Sequence, residues 1–175
     1  MVKNWMRPAT CCFTGHRIIP TGDLPMIEEE LEQTVRELIA RGVSRFLCGG
    51  ARGFDVLAAQ IVLRLKREFP GLELFLILPC RDQARGWSPE EILQYEAVQR
   101  RADRVVYIEE NYTEGCMHQR NRAMVDSSRY CIYYKTQSTG GTAYTVDYAA
   151  KKGLELLPVG ITRPHQSLQE KWQDW

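Results

Sequence analysis

Apolar residues along this chain fall into two alternating patterns. Short runs rich in Val, Ile, Leu, Phe, Tyr and Cys, each bounded by Gly, Pro or charge, predict strands over 10–13, 45–48, 73–78, 104–108, 130–134 and 155–159. Between them the apolar positions recur with helical spacing, which predicts helices over 25–41, 54–69, 89–102, 116–127 and 142–152. Local punctuation agrees: Gly42 follows the first helix, Pro70-Gly71 the second, Ser88-Pro89 opens the third and Gly153 closes the fifth. Strict alternation of strand and helix implies parallel strands joined by right-handed crossovers, hence a doubly wound, mostly parallel α/β sheet with helices on both faces. The strands read as near-continuous apolar runs, as strands covered on both faces do.

Composition narrows the class. At 175 residues the chain is long enough for one good core and short for two, so a single domain is expected over 1–161, followed by a polar tail at 162–175. With 44% hydrophobic and 26% charged residues it reads as an ordinary soluble globular protein, and no apolar stretch is long enough to span a membrane. The N-terminus has no signal-peptide pattern, so a cytoplasmic location is expected. Cys11, Cys12, Cys48, Cys80, Cys116 and Cys131 lack Cys-x-x-Cys spacing, and Cys12, Cys48, Cys80 and Cys131 sit in or beside strand-like runs, so they read as buried thiols. His16, His118 and His165 lack metal-ligand spacing, and no metal is expected. A net charge of +1, with no basic block or tail, argues against nucleic acid as a partner.

In doubly wound sheets ligands bind beyond the carboxyl ends of the strands, near the point where strand order reverses. The first strand is followed by Thr14-Gly15-His16-Arg17, which supplies a hydroxyl, a close backbone approach and a planar cation for an anion, or else forms a solvated turn. The second leads through Gly49-Gly50-Ala51-Arg52-Gly53 into a helix. Glycines ahead of a helix N-terminus favour an anion, although neither a Walker loop nor a Gly-x-Gly-x-x-Gly fingerprint is present. Asp55 then either accepts ribose hydroxyls or simply occupies the first helical turn, where negative charge is stabilising. After the third strand, Trp87 either stacks on a base or closes the loop as a core residue. On the fourth helix Arg120 and Arg122 point about 200° apart, so at most one enters a cleft. The fifth strand leads to Gly140-Gly141-Thr142 at another helix N-terminus, with Thr142 as a cap or a phosphate ligand. Two glycine-rich turns of this kind in one small sheet suggest a phosphorylated, nucleotide-like ligand.

These pieces together resemble the YpsA-like family of the SLOG superfamily, a Rossmann-like group that includes the Lonely Guy phosphoribohydrolases and the DprA-type DNA-processing proteins. The resemblance spans about 10–159. It rests on Thr14-Gly15-His16-Arg17, Gly49-Gly50-Ala51-Arg52-Gly53-x-Asp55, Pro79 with Gln83 and Trp87, Arg120-Asn121-x-x-Met124-Val125-Asp126, and Gly140-Gly141-Thr142. It implies a nucleotide-derivative pocket at the strand carboxyl ends. The enzymatic relatives carry Met-x-x-Arg-Lys and Pro-Gly-Gly-x-Gly-Thr-x-x-Glu. This chain has Met117-His118-Gln119-Arg120-Asn121 for the first, with Asn121 at the lysine position. For the second, Thr139 replaces the proline, and Asp147 falls at the glutamate position when Gly140-Gly141 is aligned.

The leading expectation is therefore a module that binds a nucleotide or ADP-ribose-like ligand as a sensor or regulator, with no obligatory cofactor. Hydrolysis of a nucleotide N-glycosidic bond is the alternative, with Asp147 or Asp55 near the anomeric carbon and Arg120 on the phosphate. DprA-like binding of single-stranded DNA is a third. A homodimer through exposed helices is compatible with a sheet of this type.

Overall fold

The structure is a computed structural model that describes residues 4–161; the polar segment expected at 162–175 lies outside them. Six parallel strands form one sheet: β1 Thr10–Gly15, β2 Arg45–Cys48, β3 Glu73–Leu78, β4 Arg104–Tyr107, β5 Tyr130–Tyr134 and β6 Glu155–Pro158. The helices are α1 Leu24–Ala40, α2 Phe54–Leu65, α3 Pro89–Arg101, α4 Cys116–Asp126 and α5 Gly141–Lys151, with short 3-10 turns at Asn4–Ala9 and Thr21–Asp23. The strand order is β4-β3-β2-β1-β5-β6. The chain builds outward from β1 to β4, then returns to lay β5 against the other side of β1, so the order reverses between β1 and β5.

That reversal also sorts the helices. Alternate side chains of a strand face opposite sides of a sheet. Cys11 and Phe13 of β1, Phe46 and Cys48 of β2, Leu74, Leu76 and Leu78 of β3, and Ile132 of β5 join one core with the apolar faces of α1, α2 and α3. Cys12, Leu47, Phe75, Ile77 and Cys131 join a second, smaller core with Met124 and Val125 of α4 and Ala149 of α5. Right-handed crossovers travelling in opposite directions must lie on opposite faces, which places three helices on one side and two on the other. The doubly wound α/β architecture follows, as the residue pattern predicted.

The helices differ in how much of their surface the fold takes. Helix α1 buries one stripe, Ile27, Leu31, Val35 and Leu38, at helical spacing. Helix α2 lies between α1 and α3, and nine of its 12 residues are buried. Helix α3 opens with a capping box in which Ser88 and Glu91 satisfy each other's backbone N–H groups. All six cysteines are free and buried. Among the described residues no helix is long and apolar enough to cross a membrane, and no cluster of three His, Cys, Asp or Glu is placed to hold a metal ion.

Most boundaries agree with the sequence pattern within a residue or two, and two differences matter for the site. Strand β1 continues through Thr14 and Gly15, expected in the turn, because β5 pairs with it that far, Thr14 with Tyr133 and Gly15 with Tyr134. Helix α5 starts at Gly141 rather than Thr142, with Gly140 at the cap in a left-handed conformation (φ 99°). Thr142 makes no cap bond and stands inside the first turn.

Candidate functional site

A cleft of about 1100 Å³ opens at the carboxyl ends of β1 and β5, where the strand order reverses. This is somewhat larger than most small-molecule sites, and large enough for a dinucleotide-sized ligand. Thr14, Gly15, His16 and Arg17 form one wall, all four from the end of β1 and the loop after it. The loop after β5 and the start of α5 form the facing wall, including Gly140, Gly141 and Thr142. Arg120 and Asn121 of α4, with Ala51 and Asp55 from the β2–α2 junction, also line it.

The α5 wall has anion-binding chemistry left open. The first backbone bond of this helix runs from the Tyr144 N–H to the Gly140 carbonyl, so the N–H groups of 141–143 have no acceptor within the helix. Thr142 is 8% exposed and faces the cleft. Its hydroxyl, like that of buried Thr14, has no hydrogen-bond partner among the described residues. A Cβ built on Gly141 would meet no atom within 4 Å, so the space above this residue belongs to the cleft.

The floor is a buried charge network. Arg120 is 4% exposed and reaches from α4 beneath the β2–α2 loop. Its Nη1 donates to the Gly49 carbonyl and, at 3.3 Å, to Gln83 Oε1, while its Nε donates to Asn121 Oδ1 at 2.7 Å. Gln83 in turn donates to the Gly49 carbonyl and to the Tyr95 hydroxyl. Burial lowers the Arg120 pKa from the ordinary guanidinium value, and the Asp55 charge opposes that shift. Asp55 Oδ2 accepts the Ala51 N–H at 3.3 Å, whereas its buried Oδ1 has no partner. Burial pushes the Asp55 carboxyl up to about 6, against the pull of Arg120 and Arg17.

The β2–α2 loop is arranged differently from a free anion cradle. Gly49, Gly50, Arg52 and Gly53 do not line the cleft. The glycines sit where neighbours approach too closely for a side chain: a Cβ on Gly49 would lie 2.6 Å from Arg120 Nη1, and one on Gly53 would lie 2.2 Å from the Arg17 carbonyl oxygen. The Phe54 N–H at the start of α2 already donates to the His16 carbonyl. Arg52 turns toward α3, where its Nη1 lies 3.5 Å from Glu91. Trp87 packs edge-on against Tyr95 and is a closing residue of the core rather than a cleft residue. Arg122 is exposed and donates to the Tyr144 hydroxyl, so of the two arginines only Arg120 enters the cleft. Asp147 is exposed and does not line it.

Several lining residues carry no mark in the sequence. Tyr134, the last residue of β5, is buried beneath the cleft and packs against His16 and Phe54. It reads as one more apolar strand residue; its position at the carboxyl end of the strand beside the reversal was the available signal. His16 Nε2 accepts the Thr136 N–H at 2.8 Å, joining the two walls. Asp23, from the 3-10 turn ahead of α1, faces the same space.

Comparison with known proteins agrees with this geometry at the level of fold and family. Helicobacter pylori DNA processing protein A, described for its single-stranded DNA binding mode, superposes with a TM-score of 0.61 at 19% identity, over 90% of this chain and 68% of that one. DprA from Streptococcus pneumoniae superposes with a TM-score of 0.62 at 16% identity, over 89% of this chain and 51% of that one. These likenesses show the fold, and the first leaves the expectation against nucleic acid without support. Among sequence relatives, the SPbeta prophage-derived protein YoqJ of Bacillus subtilis is 27% identical over 138 residues, covering 71% of this chain and 81% of that protein. A UPF0398 protein of Halalkalibacterium halodurans is 29% identical over 143 residues, covering 79% and 76%. The YpsA family model, described as the YspA SLOG family, matches residues 20–157, from the loop before α1 to β6, leaving β1 and Thr14–Arg17 outside the match. With most of its length matched by that model, the chain belongs to the YpsA family of SLOG proteins.

Proposed function

We propose that this chain binds a nucleotide or an ADP-ribose-like derivative in the β1/β5 cleft and serves as a sensor or regulatory module. The observation that carries the reading is the free start of α5. Three N–H groups without helical acceptors, the buried Thr142 hydroxyl and the positive end of the helix dipole converge on open space at the topological switch point. A phosphate or pyrophosphate supplies the acceptor that these donors lack. Exposed Arg17, which forms no ion pair among the described residues, stands on the opposite wall as a planar cation for the same charge. Asp55 Oδ1, buried and unpartnered, is an acceptor for ligand hydroxyls.

The floor supports binding more strongly than N-glycosidic hydrolysis. Arg120 spends Nη1 and Nε on protein acceptors, and of the two acids expected from the sequence Asp147 is outside the lining while Asp55 is in it; Asp23 is the other carboxylate facing the cleft. The decisive experiment is a thermal-shift panel of AMP, ADP, ATP, ADP-ribose and NAD, with product analysis and a single-stranded oligonucleotide alongside. A ligand at about 100 times its Kd adds about 2.7 kcal/mol, which raises the Tm of a domain this size by about 5–10 °C. A Cβ at Gly141, a lining residue, would meet no atom within 4 Å, so Gly141→Val adds bulk at the cleft wall with room for its first carbon. This variant is expected to keep its own Tm and lose the ligand shift. An equal shift in the variant, or no shift with any nucleotide, removes the basis of the reading. Release of free base moves it to the glycosidase, and a response to the oligonucleotide alone moves it to DNA binding.

A further inference from the structure

We infer that His16 is a positioning residue, whose neutral ring sets the α5 anion turn in place and makes ligand affinity depend on pH. The inference rests on the nucleotide-binding reading above. His16 belongs to the loop after β1, and the group it holds, the Thr136 N–H, belongs to the loop after β5. The bond crosses the line where the sheet order reverses, which no strand pairing bridges beyond Gly15 and Tyr134. Thr136 lies four residues before Gly140, so the acceptor on His16 anchors the segment that delivers Gly140, Gly141 and Thr142 to the cleft. The ring itself is fixed from below by the edge of Tyr134, with centroids 5.4 Å apart. The His16 backbone carbonyl caps Phe54 at the start of α2, so one residue ties three walls of the cleft together.

The chemistry of the contact dictates its protonation state. Nε2 accepts a hydrogen bond from a backbone N–H only while it carries no proton, and an imidazolium offers a donor where Thr136 needs an acceptor. Burial lowers the His16 pKa, so the neutral ring is the folded form across neutral pH. The sign follows: a histidine whose folded pKa is depressed contributes stability that is present above its unfolded value near 6.5 and is lost as the pH falls through the folded value. The other charged and titratable groups lining the same cleft are Arg17 and Asp23 before α1, Asp55 on α2, His118 and Arg120 on α4, and Tyr134 on β5. Lys135 adjoins Thr136 in the chain. Asp55 titrates in the same range, so the test has to separate the two groups.

His16→Gln does so, because a glutamine Oε1 accepts the Thr136 N–H at every pH while Asp55 is left in place. The probe is ADP-ribose, whose pyrophosphate keeps its charge between pH 5 and 7.5, and its Kd is measured for both proteins at the two pH values. The wild-type Kd is expected to weaken roughly threefold or more relative to the variant between pH 7.5 and 5, since the Asp55 contribution cancels in the ratio. In the ligand-free wild type, the Thr136 amide resonance is expected to titrate together with the His16 ring and to stay fixed in His16→Gln. A constant Kd ratio, or a Thr136 amide that ignores the His16 titration, overturns the assignment even where ADP-ribose binds. Failure of every nucleotide to bind at pH 7.5 overturns the functional reading and this inference together.

Discussion

At the scale of single residues, the site is a set of exclusions as much as a set of ligands. Gly49 lacks a side chain because Arg120 Nη1 and Asp55 Oδ2 lie 2.6 and 2.9 Å from where its Cβ would be, and that absence lets the guanidinium reach the Gly49 carbonyl. Asp55 is a buried acid whose protonation is linked to stability. Its folded pKa is raised from 3.8 to about 6, so the unfolded chain gives up this proton at lower pH than the native chain does. Native stability accordingly declines as the pH rises through that interval, by up to about 3 kcal/mol for a shift of this size at a buried group. Asp55→Asn removes the titration. The stability of the wild type relative to this variant is expected to fall between pH 4 and 7, measured by urea unfolding at each pH. A constant difference would mean that Arg120 already holds the carboxylate ionised.

At the scale of elements, the side chains that line and underlie the cleft are carried by helices and strands whose own stability is set elsewhere. Helix α3 carries Tyr95, the partner of Gln83 beneath the floor, and depends on its capping box at Ser88 and Glu91. Ser88→Ala removes the acceptor for the Glu91 N–H and is expected to cost about 1 kcal/mol, read as a Tm lower by about 2–4 °C. The nucleotide-induced shift should survive, because Ser88 is outside the cleft. Loss of that shift would show that α3 sets the floor geometry more directly than the Gln83 contacts suggest. Helix α5 is the contrasting case. Glycine at its cap and first position gives it no side-chain cap, so its first N–H groups are left without acceptors in the helix.

At the scale of the whole molecule, a net charge of +1 on 175 residues means that attraction for a ligand comes from local geometry and not from a general positive field. In the proposed complex the α5 turn and Arg17 would neutralise one or two phosphates of the ligand. The slope of log Kd against log salt concentration should therefore stay on the order of 1–2 for a nucleotide. A single-stranded oligonucleotide bound along the surface would give a steeper slope, which titrations at several salt concentrations would reveal.

The order of elements was legible in the sequence, because strand and helix follow from hydrophobic spacing and from local breakers such as Ser88-Pro89 and Gly153, all of them short-range signals. The likeness to the SLOG group was legible for the same reason, since Arg120-Asn121 on the fourth helix and Gly140-Gly141-Thr142 after the fifth strand keep their order along the chain. Strand neighbours depend on contacts distant in the chain, and only the fold placed β5 beside β1 and thereby made residues 14–17 and 140–142 two walls of one cleft. It alone turned Gly49, Gly50, Arg52 and Gly53 away from that cleft, because packing space rather than residue type decides whether a glycine admits a ligand or a neighbouring side chain. Tyr134 and the His16–Thr136 bond belong to the same class. A tyrosine ending an apolar strand and a threonine in a polar loop look ordinary in one dimension, and only the reversal of strand order brings both against His16.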